Sequence, residues 1–140
     1  MRRVLAILAI ALALIPSACS VDLDLILFNT TGHSIVVVVG ERRIELAPSE
    51  SASFKAGSFF SGEVSVRQAG VEYRYVLEPS VGLPSAYYRS GGWAADVWAQ
   101  LDPELRVHLI PTSVSAPGAP SVEQPHGFPL APVSTREHAT

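Results

Sequence analysis

A period of two governs the middle of this chain. From residue 21 to about 110, short runs alternate apolar with polar side chains, cut by Gly, Asn, Asp and Pro at roughly 8–12-residue spacing. Such alternation suits a strand, whose successive side chains point to opposite faces, and conflicts with the helical repeat. Asp22-Leu23-Asp24-Leu25 puts Leu23, Leu25 and Leu27 on one face, with Asp22 and Asp24 forming a charged strand edge on the other. Asn29-Thr30-Thr31-Gly32 is a turn cluster, and Ile35 to Val39 is an unbroken β-branched run. After Gly40-Glu41, Ile44 and Leu46 face inward while Arg43 and Glu45 face out, and Pro48-Ser49 bends the chain into a strand that ends at Phe54. The pattern predicts an all-β fold, a small antiparallel β-sandwich of about seven strands.

Two hairpins carry a register in their sequence. With Ala69-Gly70 as the loop, Arg67 opposes Glu72, Val66 opposes Tyr73, Ser65 opposes Arg74 and Val64 opposes Tyr75. Apolar then meets apolar and the opposite charges pair outside. The turn chemistry is less favourable, because a tight hairpin asks Ala69 for a positive φ. The second hairpin joins Val97–Leu101 to Leu105–Ile110 through Asp102-Pro103-Glu104, opposing Leu101 to Leu105, Ala99 to Val107 and Trp98 to His108. Trp93, Val97 and Leu101 also recur every four residues, so a short helix over 93–101 is the competing reading.

The run Asn29…Gly32…Ile35-Val36-Val37…Leu46…Pro48…Ser51…Phe54 is similar to the strand-turn-strand openings of immunoglobulin-like sandwich domains. The resemblance spans about thirty residues and implies architecture alone, since fold does not fix function.

Ahead of the β region stands a different kind of segment. Met1-Arg2-Arg3 precedes twelve unbroken apolar residues, Val4 to Ile15, and then Pro16-Ser17-Ala18-Cys19-Ser20. A positive start, a short apolar core and a small-residue exit describe a secretory signal peptide, expected over residues 1–18. Spanning a bilayer takes about 20 apolar residues, so the run is too short for that. Ser17-Ala18-Cys19 resembles the processing signal of bacterial lipoproteins, with Pro16 where that family usually has Leu. The resemblance implies cleavage before Cys19, lipidation of its thiol and acylation of its amine, with membrane lipid as partner. Ser20, not Asp, implies export to the outer membrane on its periplasmic side. The competing reading is a plain secreted protein cut after Ser20.

Residues 19–20 then serve as lipid attachment and short linker, with 21–110 as the sandwich domain. From Pro111 onward come thirty residues with six prolines and many small or polar side chains. Such a composition predicts a disordered Pro-rich tail over 111–140. Within it, His126-Gly127-Phe128-Pro129-Leu130 is the one apolar punctuation, suited to docking on a partner or folding back onto the domain.

Composition narrows the function. The chain has 10 Lys+Arg against 13 Asp+Glu, and Lys55 is its sole lysine. Removing Arg2 and Arg3 with the leader leaves eight basic residues against the same 13 acidic, a charge of −5. No basic stripe exists to collect phosphates, which argues against nucleic acid as a partner. One cysteine excludes a disulfide framework. His33, His108, His126 and His138 stand apart, and no motif for catalysis, metal binding or phosphate cradling is present. We therefore expect no enzyme activity, no metal and no cofactor. A Ser–His–Asp site built in space on His33 or His108 would leave no such trace.

Candidate binding residues are aromatic. Tyr87, Tyr88, Arg89, Trp93 and Trp98 fall within twelve positions, and aromatic faces beside a guanidinium suit sugar rings or a partner's anchor residues. Phe128 joins them from the tail. The sequence thus predicts a membrane-anchored envelope protein with a binding or scaffolding role. Its alternatives are a module for cell-wall glycan or lipopolysaccharide, and a small inhibitor or assembly factor of a periplasmic enzyme.

Overall fold

A computed structural model describes residues 22–55, 63–76, 83–91, 94–118 and 123–138. The leader, Cys19 and Trp93 lie outside the described residues. Among those described, the chain forms strands β1 (Asp22–Asn29), β2 (Ile35–Val39), β3 (Arg42–Leu46), β4 (Ser51–Lys55) and β5 (Glu63–Gln68). These are followed by β6 (Val71–Val76), a 3-10 turn (Ser85–Tyr87), β7 (Tyr88–Gly91), β8 (Ala94–Leu101), β9 (Val107–Ile110) and β10 (Ser134–Glu137).

The strands make two sheets, as expected for an all-β sandwich. The first has the order β4-β1-β8-β7, with β9 following β7 along the same edge of β8. The second has the order β10-β6-β5-β2-β3. Alternation explains the packing: Leu25 and Leu27 of β1, Ile35, Val37 and Val39 of β2, and Val64 and Val66 of β5 are all buried. Phe54, Tyr75, Val97, Ala99 and Leu101 complete the layer between the sheets. Tyr75, a polar-tipped ring in this core, donates its hydroxyl to the Leu105 carbonyl at 2.6 Å.

Five expectations need correction. The described residues form ten strands against about seven read from sequence; β7 and β10, four residues each, are too short to show a period. The sandwich is not wholly antiparallel: β1 and β8 pair in parallel from Asp22↔Ala94 to Asn29↔Leu101. β1 is therefore an interior strand and not an edge, and Asp24 is met by Lys55 of β4 at 3.0 Å. Residues 94–101 are strand, the reading that alternation favours over the rival short helix, and both edges of β8 are taken by ladder partners.

The hairpin registers divide. β5 and β6 pair as the sequence reads, with Arg67↔Glu72, Val66↔Tyr73, Ser65↔Arg74 and Val64↔Tyr75. Ala69 and Gly70 both adopt positive φ, 49° and 77°. In the second hairpin the same faces meet, but the register slides by one pleat. Leu101 opposes Val107 and Trp98 opposes Ile110. Asp102 causes the slip, since its carboxylate accepts the backbone N–H of Glu104 and of Arg106 and so organises a longer loop. Leu105, at φ 60°, completes that loop.

The fifth correction concerns the tail. Composition predicts disorder from residue 111, yet the described parts, 111–118 and 123–138, lie on the sandwich. Leu130 and Val107 exchange backbone hydrogen bonds at 2.9 Å. The Gln124 amide accepts from the Leu109 N–H and donates to the Leu109 carbonyl, acting as one rung of a missing strand. β10 then pairs along β6. The segment has little to bury, but the sheet edges it covers need hydrogen-bond partners, and satisfying those edges holds it in place.

Candidate functional site

Strand parity sorts the candidate residues. In β7, Tyr88 opposes Val97 and shares its core-facing side, whereas Arg89 opposes Asp96 on the outer side. Trp98 follows Val97 and is also on the outer side. Tyr87, on the 3-10 turn, is buried, and its hydroxyl donates to the Glu123 carbonyl at 2.9 Å. Burial pushes the pKa of Tyr87 up. Tyr88 packs half-buried against the core. The aromatic patch is thus divided: two tyrosines serve the interior and Trp98 stands on the opposite face. Phe128 is likewise packed half-buried against the core, the folded-back alternative of the tail motif.

What the structure does bring together is Arg89, Trp98 and Phe28. The Arg89 guanidinium stacks over the Trp98 ring at 3.8 Å from its centroid. Phe28, from β1, meets the same ring at 5.2 Å with a 56° tilt. A stacked cation of this kind contributes about 0.5–2 kcal/mol, more as water is excluded. Arg89 Nη2 donates to the carbonyls of Pro111 at 2.8 Å and Val114 at 2.5 Å. Desolvation pushes its pKa down from the ordinary arginine value. The Pro111–Gly118 segment is thereby strapped over the outer face, held also by Thr112 N–H to Ala86 O at 2.7 Å and Gly118 N–H to the Gln100 side chain at 2.8 Å.

Beside this strap lies a buried polar cluster that sequence reasoning missed. Gln100, Asp102 and His108 are all under a tenth exposed. His108 Nε2 and Asp102 Oδ2 are 2.7 Å apart, and Arg106 Nε reaches the same oxygen at 3.3 Å. Burial raises the Asp102 carboxyl, but hydrogen bonds from the Arg106 N–H and the His108 ring, with the Arg106 guanidinium nearby, lower it, and the lowering wins. The arrangement resembles the orienting half of a nucleophilic site, yet the other ring nitrogen, Nδ1, is buried without a hydrogen-bond partner. No hydroxyl therefore reaches this histidine among the described residues. Asp-Pro-Glu was visible as a turn. That its aspartate would close the loop and grip His108 was not, because the sliding register sets which residues meet.

His33 is exposed in its turn, His126 is exposed on the tail segment, and His138 pairs with Glu72 at 2.7 Å. Among the described residues no group of three or more His, Cys, Asp or Glu side chains is placed to hold a metal ion. No helix among them is long and apolar enough to cross a membrane. Comparison with protein-family models, curated proteins and solved structures finds no match to this chain.

Proposed function

We propose that this protein is a lipoprotein of the cell envelope, exported, acylated at Cys19 and acting as a non-enzymatic binding or scaffolding module on the periplasmic side of the outer membrane. The observation that carries the reading is the position of the sole cysteine. Cys19 follows a leader-like segment directly and stands three residues ahead of β1. Cleavage before it would remove no residue of the described sandwich. An unpaired thiol is a liability in an oxidising compartment, and lipidation of the sulfur removes it. Each buried methylene of an acyl chain contributes about 0.8 kcal/mol, so two or three chains anchor firmly where one does not. The mature charge of −5 gives the body no electrostatic attraction of its own to anionic lipid.

The finer, immunoglobulin-like description of the sandwich belongs to this proposal and is supported by two stacked sheets with alternating inward residues. A second reading, a small assembly factor or inhibitor, is favoured by one observation: β3 and β4 are outermost in their sheets and adjoin in sequence. Outermost strands can accept a partner's strand along their edge.

Intact-mass analysis of the protein from the membrane fraction tests the anchor. Loss of residues 1–18 with acyl mass on Cys19 is expected. A bare thiol, or the chain free in the medium, overturns the proposal.

A further inference from the structure

We propose that the end of the sandwich bearing Asp22, Val76 and Val133 faces and touches the phospholipid surface. This inference rests on the acylation of Cys19. It adds an orientation and a contact surface that anchoring alone does not specify.

The strand directions define two ends. β1 starts at Asp22 and β8 at Ala94 on one end, where β2 finishes at Val39, β4 at Lys55 and β6 at Val76. At the opposite end lie Asn29, the Ala69-Gly70 turn, the 102–106 loop and the close of β10, where His138 N–H meets Gly70 O at 2.7 Å. Three residues of extended chain from Cys19 to Asp22 span at most about 10 Å. An acylated Cys19 therefore holds the Asp22 end against the headgroup layer. The far end, with the close of the described chain at His138, is held away from it.

An independent observation points to the same end. Among the described residues, the large hydrophobics left exposed are Val76, at 46%, and Val133, at 61%. Val76 closes β6, and Val133 stands just before β10, its N–H bonded to the Arg74 carbonyl at 2.7 Å. Both lie at the anchored end of the second sheet. Charges of both signs lie at this end: Arg74 is bound to Glu63 and Lys55 to Asp24, and Glu41, Arg42 and Arg43 are exposed at the β2–β3 turn. Small apolar side chains among charges of both signs suit a zwitterionic lipid surface. Two valines are too little to hold a protein on a membrane, so the contact orients a body that the acyl chains retain.

The test uses the full mature chain isolated from membranes and returned to phosphatidylcholine vesicles carrying a headgroup-region quencher. Thioether formation consumes Cys19, so one introduced cysteine takes a single fluorophore. Val133→Cys and Glu41→Cys report the anchored end, and Glu104→Cys reports the far end; all three positions are exposed. Quenching several-fold stronger at positions 133 and 41 than at 104 supports the proposal. With acylation shown by intact mass, equal or reversed quenching overturns the orientation while the anchor stands. An unacylated Cys19 overturns both.

Discussion

Asn29 is fully buried where β1 leaves its sheet, and its side chain ties together three turns of chain. Its Nδ2 lies 2.7 Å from the His33 carbonyl and 3.1 Å from those of Leu46 and Ala47, while Oδ1 accepts from the Thr31 N–H at 3.1 Å. Only an amide supplies donors and an acceptor at one tip. Asn29→Ala leaves buried carbonyls unsatisfied, and a loss of about 2–4 kcal/mol in urea-unfolding free energy is expected, with Asn29→Asp no better. Asp102 governs acid behaviour at the same scale. Its carboxyl is held below the ordinary 3.8, so it binds a proton more weakly folded than unfolded. Its stabilisation is present above the unfolded value and is lost as pH falls through the folded one. Asp102→Asn is expected to be less stable at neutral pH and to show a flatter stability profile below about pH 4 in acid titrations of unfolding. Glu63 and Glu72, also lowered by hydrogen bonds to Arg74 and to His138 and Arg67, keep part of the slope.

At the scale of elements, the β5–β6 hairpin shows what a sequence can specify. Its register was legible because sliding it by one residue would set Val66 against Glu72 and turn a whole face over. Its turn was legible as a conflict: Ala69 holds φ 49° without the local hydrogen bonding that Asn would supply there. Ala69→Asn is expected to raise stability by about 0.5–1 kcal/mol, read as a higher urea midpoint with unchanged slope. The β8–β9 hairpin was legible by face and not by register, since a two-residue slip preserves the alternation and only the Asp102 side chain decides between them. The candidate site was less legible still. Tyr88 and Arg89 are neighbours in sequence, and only the pairing of β7 with β8 reveals that one faces the core and the other Trp98. The tail left almost no trace, because edge coverage through Leu130, Gln124 and β10 uses backbone groups and one amide, which carry no hydrophobic period.

For the whole molecule, the C-terminal segment closes one side of the sandwich, meeting β9 in one sheet and β6 in the other. The opposite side, with β3 and β4 outermost, lacks an equivalent cover among the described residues. All four residues of β10 are exposed, so the strand adds ladder hydrogen bonds and the His138–Glu72 contact but no core. Deleting residues 134–140 should therefore lower stability only modestly, by about 1–2 kcal/mol. Its larger effect should be on association. β6 would become a six-residue free edge with exposed backbone donors and acceptors, and a row of that kind templates pairing with another chain. Sedimentation velocity on the chain from residue 20, with and without 134–140, compares the two states. A monomeric parent and a concentration-dependent shift to dimers or larger species in the truncated chain are expected. Because the Asp102 loop and the Arg89 strap are untouched by this deletion, near-ultraviolet circular dichroism of Trp98 should stay unchanged while the association state moves. Equal sedimentation of both chains would mean that β10 does not protect the β6 edge.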